Sequence, residues 1–141
     1  HIAMDIQHGD RAAVHDIRFA NVRVEVDEWN PHPRLQRNRE DTYQADPKDG
    51  YRPSLMVIVV YKTNYSKDDR RGTVRDVLFK DITVTGPLPA SSFRGFDAEH
   101  GVDGVTISNL RVGDKPVRDA QEARLQAGPF VQNVRFADTA R

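Results

Sequence analysis

Four segments of this chain superimpose without gaps, and that internal repeat limits what the chain can fold into. They begin at Val14, Val74, Val102 and Val131. Val74-Arg75-Asp76-Val77-Leu78-Phe79-Lys80-Asp81-Ile82-Thr83-Val84 shows the pattern in full, V-x-[DGN]-Φ-x-Φ-x-[ND]-Φ-x-V, where Φ is a large apolar residue; the fourth copy is truncated at Asp138. Apolar residues two apart, such as Ile17/Phe19 and Val22/Val24, lie on one face of an extended strand. Between those pairs the spacing widens to three, from Phe19 to Val22, which breaks the alternation. The residue before the second pair is Asn21, Asp81, Asn109 or Asp138. Asn and Asp enter the left-handed backbone region more readily than other non-glycine residues, so each copy reads as strand, corner, strand.

The later copies start at 74, 102 and 131, so one unit takes 28 or 29 residues; the first two lie 60 apart, with the apolar run Leu55-Met56-Val57-Ile58-Val59-Val60-Tyr61 between them. Helical repeats are disfavoured because the inward positions follow two-residue steps. A leucine-rich repeat lacks its consensus, and an immunoglobulin-like sandwich would need hairpin turns every 8–12 residues. The reading that remains is a short or truncated right-handed, single-stranded parallel β-helix, an all-β solenoid with 1–141 as one domain. Parallel stacking predicts a ladder of Phe19, Phe79, Ile107 and Phe136. Residues 25–54, with Trp29-Asn30-Pro31-His32-Pro33 and a charged, unpatterned stretch, read as a long loop that re-enters at Ser54. Asp119 through Gln126 has helix-forming composition, an acidic start and Gly128-Pro129 beyond it, which predicts one short helix near the C-terminus.

Composition supports an elongated stack with narrow inward faces: 38% of residues are hydrophobic and 30% charged, and the mean hydropathy is −0.68. Lys+Arg and Asp+Glu are 21 each, so no net field draws nucleic acid or an acidic membrane. Cysteine is absent, which removes disulfides and thiolate metal sites. No apolar run reaches the roughly 18 residues of a membrane span. The first copy begins near the chain start with no visible cap, so a homo-oligomer or additional N-terminal coils are expected to cover the first rung.

The motif V-x-D-V-x-F-x-D-I-x-V resembles the coils of pectin-lyase-like β-helix proteins, and in particular is similar to polygalacturonase-type glycoside hydrolases. Met4-Asp5-Ile6-Gln7-His8-Gly9-Asp10 resembles the strand and turn before such a coil. Phe96-Asp97-Ala98-Glu99-His100-Gly101-Val102 and Gly113-Asp114-Lys115-Pro116-Val117 resemble the terminal coils. The resemblance implies the C-terminal β-helix portion of a polysaccharide-degrading enzyme, secreted or periplasmic, with a polysaccharide or oligosaccharide as partner and no cofactor. The alternative is a non-catalytic carbohydrate-binding or assembly module. The family's Asn-Thr-Asp and Gly-His-Gly segments are missing. Asp68-Asp69 sits in a polar turn, His8-Gly9 lacks the preceding glycine, and Val60-Tyr61-Lys62 matches an Arg-Ile-Lys position only at its lysine. The catalytic coils are therefore expected to lie outside this chain, which alone would be inactive.

The residues themselves offer a few candidates. Asp97, Glu99 and His100 form the densest ionisable cluster and are the catalytic candidates for acid–base work or for a divalent cation, against the plainer reading of a solvated turn. Asp16 and Asp76 would lie one strand spacing apart, near the separation of a glycosidase carboxyl pair, but as members of the repeat they read first as structural corners. Tyr61, Lys62, Tyr65 and Trp29 are the substrate-binding candidates, with His32 and Tyr43 farther along the Trp29 loop. No metal-ligand spacing, nucleophile elbow or phosphate loop is present.

Overall fold

In the computed structural model, which describes residues 2–27 and 53–137, the inward and outward alternation of each repeat becomes strand. Nine strands are present among the described residues: β1 (Ile2–His8), β2 (Ala13–Glu25), β3 (Ser54–Val60), β4 (Thr73–Thr85), β5 (Ala90–Arg94), β6 (Val102–Val112), β7 (Lys115–Val117), β8 (Leu125–Ala127) and β9 (Val131–Ala137). One sheet runs in the order β1-β3-β5-β8. The other runs β2-β4-β6, and β7 and β9 share the far edge of β6. Every pairing is parallel except that of β6 with β7. The chain crosses from the first sheet to the second once in each of four circuits, and every repeat copy lands in the second sheet.

The register places Phe19 on Phe79, Phe79 on Ile107 and Ile107 on Phe136, the ladder that the sequence predicts. The rings of Phe19 and Phe79 stack with centroids 5.2 Å apart, and Phe79 in turn stacks on Phe93 of the facing sheet at 6.0 Å. Val74, Val77, Phe79, Ile82 and Val84 of β4 join Leu55, Met56, Ile58, Val60 and Phe93 of the first sheet in a dry core. Each such side chain stabilises by about 1.5–3 kcal/mol before ordering entropy is subtracted. A bulge between Ser54 and Val57 turns both Leu55 and Met56 inward. The ladder bond it disrupts is replaced by Met56 N–H donating to the buried Ser91 hydroxyl at 3.2 Å.

Each full repeat carries two corners, one at the N/D slot and one at the D/G/N slot, where the sequence reads Asp16 and Asp76 as structural corners. Asn21, Asp81 and Asn109 have φ of 59°, 55° and 54°, as expected; Asp16, Asp76 and Asn133, with φ of 57°, 55° and 56°, and Gly104, with φ of 79°, form a second set. Both sets drop out of the strand register, so β2 pairs with β4 in three straight runs, 13–15, 17–20 and 22–25. The D/G/N slot near the start of each copy thus obeys the same backbone requirement as the N/D slot further on. Two cross-circuit bonds tie corners to their neighbours: Asn109 Nδ2 donates to Asp81 Oδ1 at 2.8 Å, and Asn133 Nδ2 to Asp103 Oδ1 at 2.7 Å.

The helix predicted over residues 119–126 is absent. Asp119 accepts the Glu122 N–H at 2.8 Å, as an N-cap does. Arg124, with φ of 51°, already reverses the backbone, and Leu125 N–H returns to Ala120 O at 2.8 Å, the bond pattern that closes a helix. Start and stop signals five residues apart leave one turn, and Leu125–Ala127 pairs with β5 instead. The re-entry expected at Ser54 is where β3 begins, while most of the predicted 25–54 loop lies outside the described residues.

Candidate functional site

The passages from the first sheet to the second, residues 9–12, 61–72, 95–101 and 128–130, stack above one another because the strands that flank them do. This edge gathers two of the groups singled out in the sequence: Tyr61, Lys62 and Tyr65 in the second circuit, and Asp97, Glu99 and His100 in the third. Trp29, His32 and Tyr43 lie outside the described residues.

Arg71 binds the edge together. It is 4% exposed, its guanidinium donates to Gly9 O and Asp68 O, and it lies 5.8 Å from the centroid of the Phe96 ring. One cation therefore touches the passages of three successive circuits. Its Nε has no partner among the described residues. The second passage is further tied to the first by Ser66 Oγ donating to Gly9 O at 2.6 Å, Lys67 N–H to Asp10 Oδ1 at 2.9 Å, and an Arg11–Asp68 ion pair at 3.1 Å.

Around this clasp the surface is aromatic. Tyr65 is 92% exposed, Phe96 41% and Phe130 45%, so three consecutive circuits each present a ring to solvent. Phe130 also has a left-handed backbone, φ 58°, which a bulky residue adopts only under constraint. The constraint is visible: Phe130 O accepts the Val102 N–H at 3.0 Å. A Cβ on Gly95 or Gly101 would come within 2.4 or 2.5 Å of that oxygen, so only glycine permits the approach. Phe130 carried no repeat signal in the sequence; its one pointer was the Gly128-Pro129 pair before it.

Asp97 and Asp69, two of the carboxylates on this edge, are already engaged, whereas the Glu99 side chain is exposed to solvent. Asp97 Oδ1 accepts from Glu99 N–H at 3.0 Å, His100 N–H at 2.8 Å and His100 Nδ1 at 2.7 Å. Desolvation works to raise its pKa, but the bonds from the His100 ring and the two backbone N–H groups outweigh it and hold the carboxyl below its ordinary value. A carboxylate held in that direction is a poor proton donor near neutrality. Asp69 is likewise held low, first by the hydrogen bond from Lys62 and then by the Lys62 charge. The Tyr61 hydroxyl donates to Gln7 Oε1 at 2.7 Å, which ties the second passage to β1.

Asp16 and Asp76 sit elsewhere, as exposed corners of the second sheet, and pair with their own neighbours His15 and Arg75. His8 is a corner clamp, its Nε2 2.6 Å from Ala12 O. On the outer face of the second sheet a shallow groove of about 390 Å³ lies between Asn21, Arg23, Asp81, Thr83, Thr85 and Asp114, with Arg23 turned to Glu25 at 2.8 Å. No cluster of three metal-ligating side chains occurs among the described residues. Compared with family models, with curated proteins and with solved structures, the chain finds no match.

Proposed function

We propose that this chain forms coils of a right-handed parallel β-helix of the polygalacturonase-like, polysaccharide-degrading type, and that its own part is to hold a polysaccharide rather than to cut it. Alternation between two sheets whose pairings are parallel apart from that of β6 with β7 favours that architecture, and the strong preference of parallel crossovers for one hand favours the right-handed form. The single observation that carries the binding role is the exposure of Tyr65, Phe96 and Phe130, one in each of three successive passages on one edge. Strands stack about 4.8 Å apart, so successive rings advance by roughly the length of one sugar unit. The C–H faces of pyranose rings are apolar and pack on aromatic faces, while their hydroxyls suit the polar groups alongside. Lys62 lies on the same edge, where a sugar carboxylate would compete with Asp69 for its ammonium.

Two features speak against bond cleavage at this edge. Glycoside hydrolysis needs one protonated carboxyl and a second free one across the bond. Here Asp97 is committed to three donors and Asp69 to Lys62.

Titration with soluble polygalacturonate and xylan, followed by chemical-shift changes, tests the reading. Binding is expected, with resonances of the 61–72, 95–101 and 128–130 passages moving most. Tyr65→Ala and Phe96→Ala are each expected to weaken it about 2–10-fold, from roughly 0.5–1.5 kcal/mol per stacked ring. Absence of binding to either polymer removes the role, and reducing-sugar release by the 141-residue chain removes the non-catalytic assignment.

A further inference from the structure

The two ends of the stack are built differently. At the far end β6 is met in parallel by β9 over residues 102–108 and antiparallel by β7 over residues 110–112. Pro116, opposite Arg111, has no N–H, so the β7 edge lacks a donor for any further strand at that point. At the near end β1 and β2 present 7 and 13 residues of strand edge with no strand beyond them among the described residues. Val14, Ile17, Phe19, Val22 and Val24 are only partly covered there, while their register partners on β4 are at most 1% exposed.

The corners decide what can cover this edge. Asp16 and Asn21 flank the middle run of β2, and Ile17 and Phe19 are its inward residues. A parallel strand in register sets corner on corner and inward on inward, as β4 does. An antiparallel strand from a second copy cannot do both. If Asp16 meets the second Asn21, then Ile17 meets Ala20, an inward side chain against an outward one. If the strand slips by one so that Ile17 meets Phe19, both corners face straight backbone. One residue of slip reverses every face, so two-fold pairing of β2 with a second β2 is excluded on parity. A head-to-tail copy would seat β9 well over residues 14–19, but would bring the reversed β7 and Pro116 over Val22 and Val24.

We infer that the β1–β2 edge is a docking surface for one further parallel coil of the same V-x-[DGN]-Φ-x-Φ-x-[ND]-Φ-x-V pattern, joined to the start of β1, and not for a second copy of this chain. The interface is the one already made between β2 and β4, continued by one step. The four residues between Thr85 and Ala90 show how short a connection carries one circuit into the next. A tethered coil also avoids the cost of association that a separate partner meets.

The test repeats residues 54–89 ahead of Ile2, supplying a coil with its own connection. Amides of β2 are expected to exchange at least about tenfold more slowly than in the parent chain, and the urea midpoint to rise. The same fusion with Asp76→Val and Asp81→Val in the added coil alone is expected to do neither. The parent chain is expected to sediment as a monomer. Unchanged β2 exchange in a folded fusion overturns the inference, as does a dimeric parent whose β2 amides are already protected. Should the fusion be insoluble, a peptide of residues 73–85 titrated into the parent gives the same reading: protection of β2 supports the inference, and none at saturating peptide overturns it.

Discussion

At the scale of single residues, the shape of each circuit is set by a small set of side chains that accept a left-handed backbone. Asn21 is the simplest to test, being exposed and at φ 59°. Asn21→Val should cost about 1–2 kcal/mol in urea unfolding, while Asn21→Gly should lie within a few tenths of the parent, because the penalty comes from the Cβ branch in that backbone region. Half of this was legible in the sequence. The N/D slot announced itself by interrupting the two-residue alternation at Phe19 and Val22. The D/G/N slot sits where one residue separates straight runs of unequal length, and there the composition alone, Asp16, Asp76, Gly104 and Asn133, carried the signal.

At the scale of elements, strands were readable and their connections were not. A strand's inward face must be apolar, and that leaves a period; a passage such as residues 95–101 is held by hydrogen bonds from one carboxylate to nearby N–H groups, which leaves none. The Asp97, Glu99 and His100 cluster reads both as chemistry and as a solvated turn for that reason, and its hydrogen bonds build a turn on Asp97. The turn has a pH signature. Asp97 is held below its ordinary pKa of about 3.9, so between the folded and unfolded values the unfolded chain binds more protons and stability rises with pH. The contribution is full above about pH 4 and is lost as pH falls through the folded value. Amide exchange at Glu99 and His100 should accelerate over that range, and Asp97→Ala should abolish the dependence. The missing helix teaches the converse: cap signals at Asp119 and Arg124 were real, but the spacing between them and the pull of β5 on Leu125 decided the outcome.

For the whole molecule, burial is graded along the stack. Among the described residues the second and third circuits are covered on both sides and the first and fourth on one, which is why Val14, Val134 and Phe136 are half-buried while Val77, Phe79 and Ile107 are fully buried. Phe79→Ala should therefore cost about 3–5 kcal/mol and Phe19→Ala distinctly less, a ranking that two urea titrations settle. The fold was legible at this scale because four copies of one pattern leave few ways to bury their faces. The exposed aromatics were not, since Tyr65, Phe96 and Phe130 occupy unrelated positions in passages of different length and come to one edge only after the strands have stacked.

Arg71 gives that edge a mechanical character. A guanidinium that holds Gly9, Asp68 and Phe96 at once brackets the third passage to the first two, which Ser66, Lys67 and Arg11 already join. Shortening this side chain would release Phe96 from the second passage while leaving the first two passages joined and every strand intact.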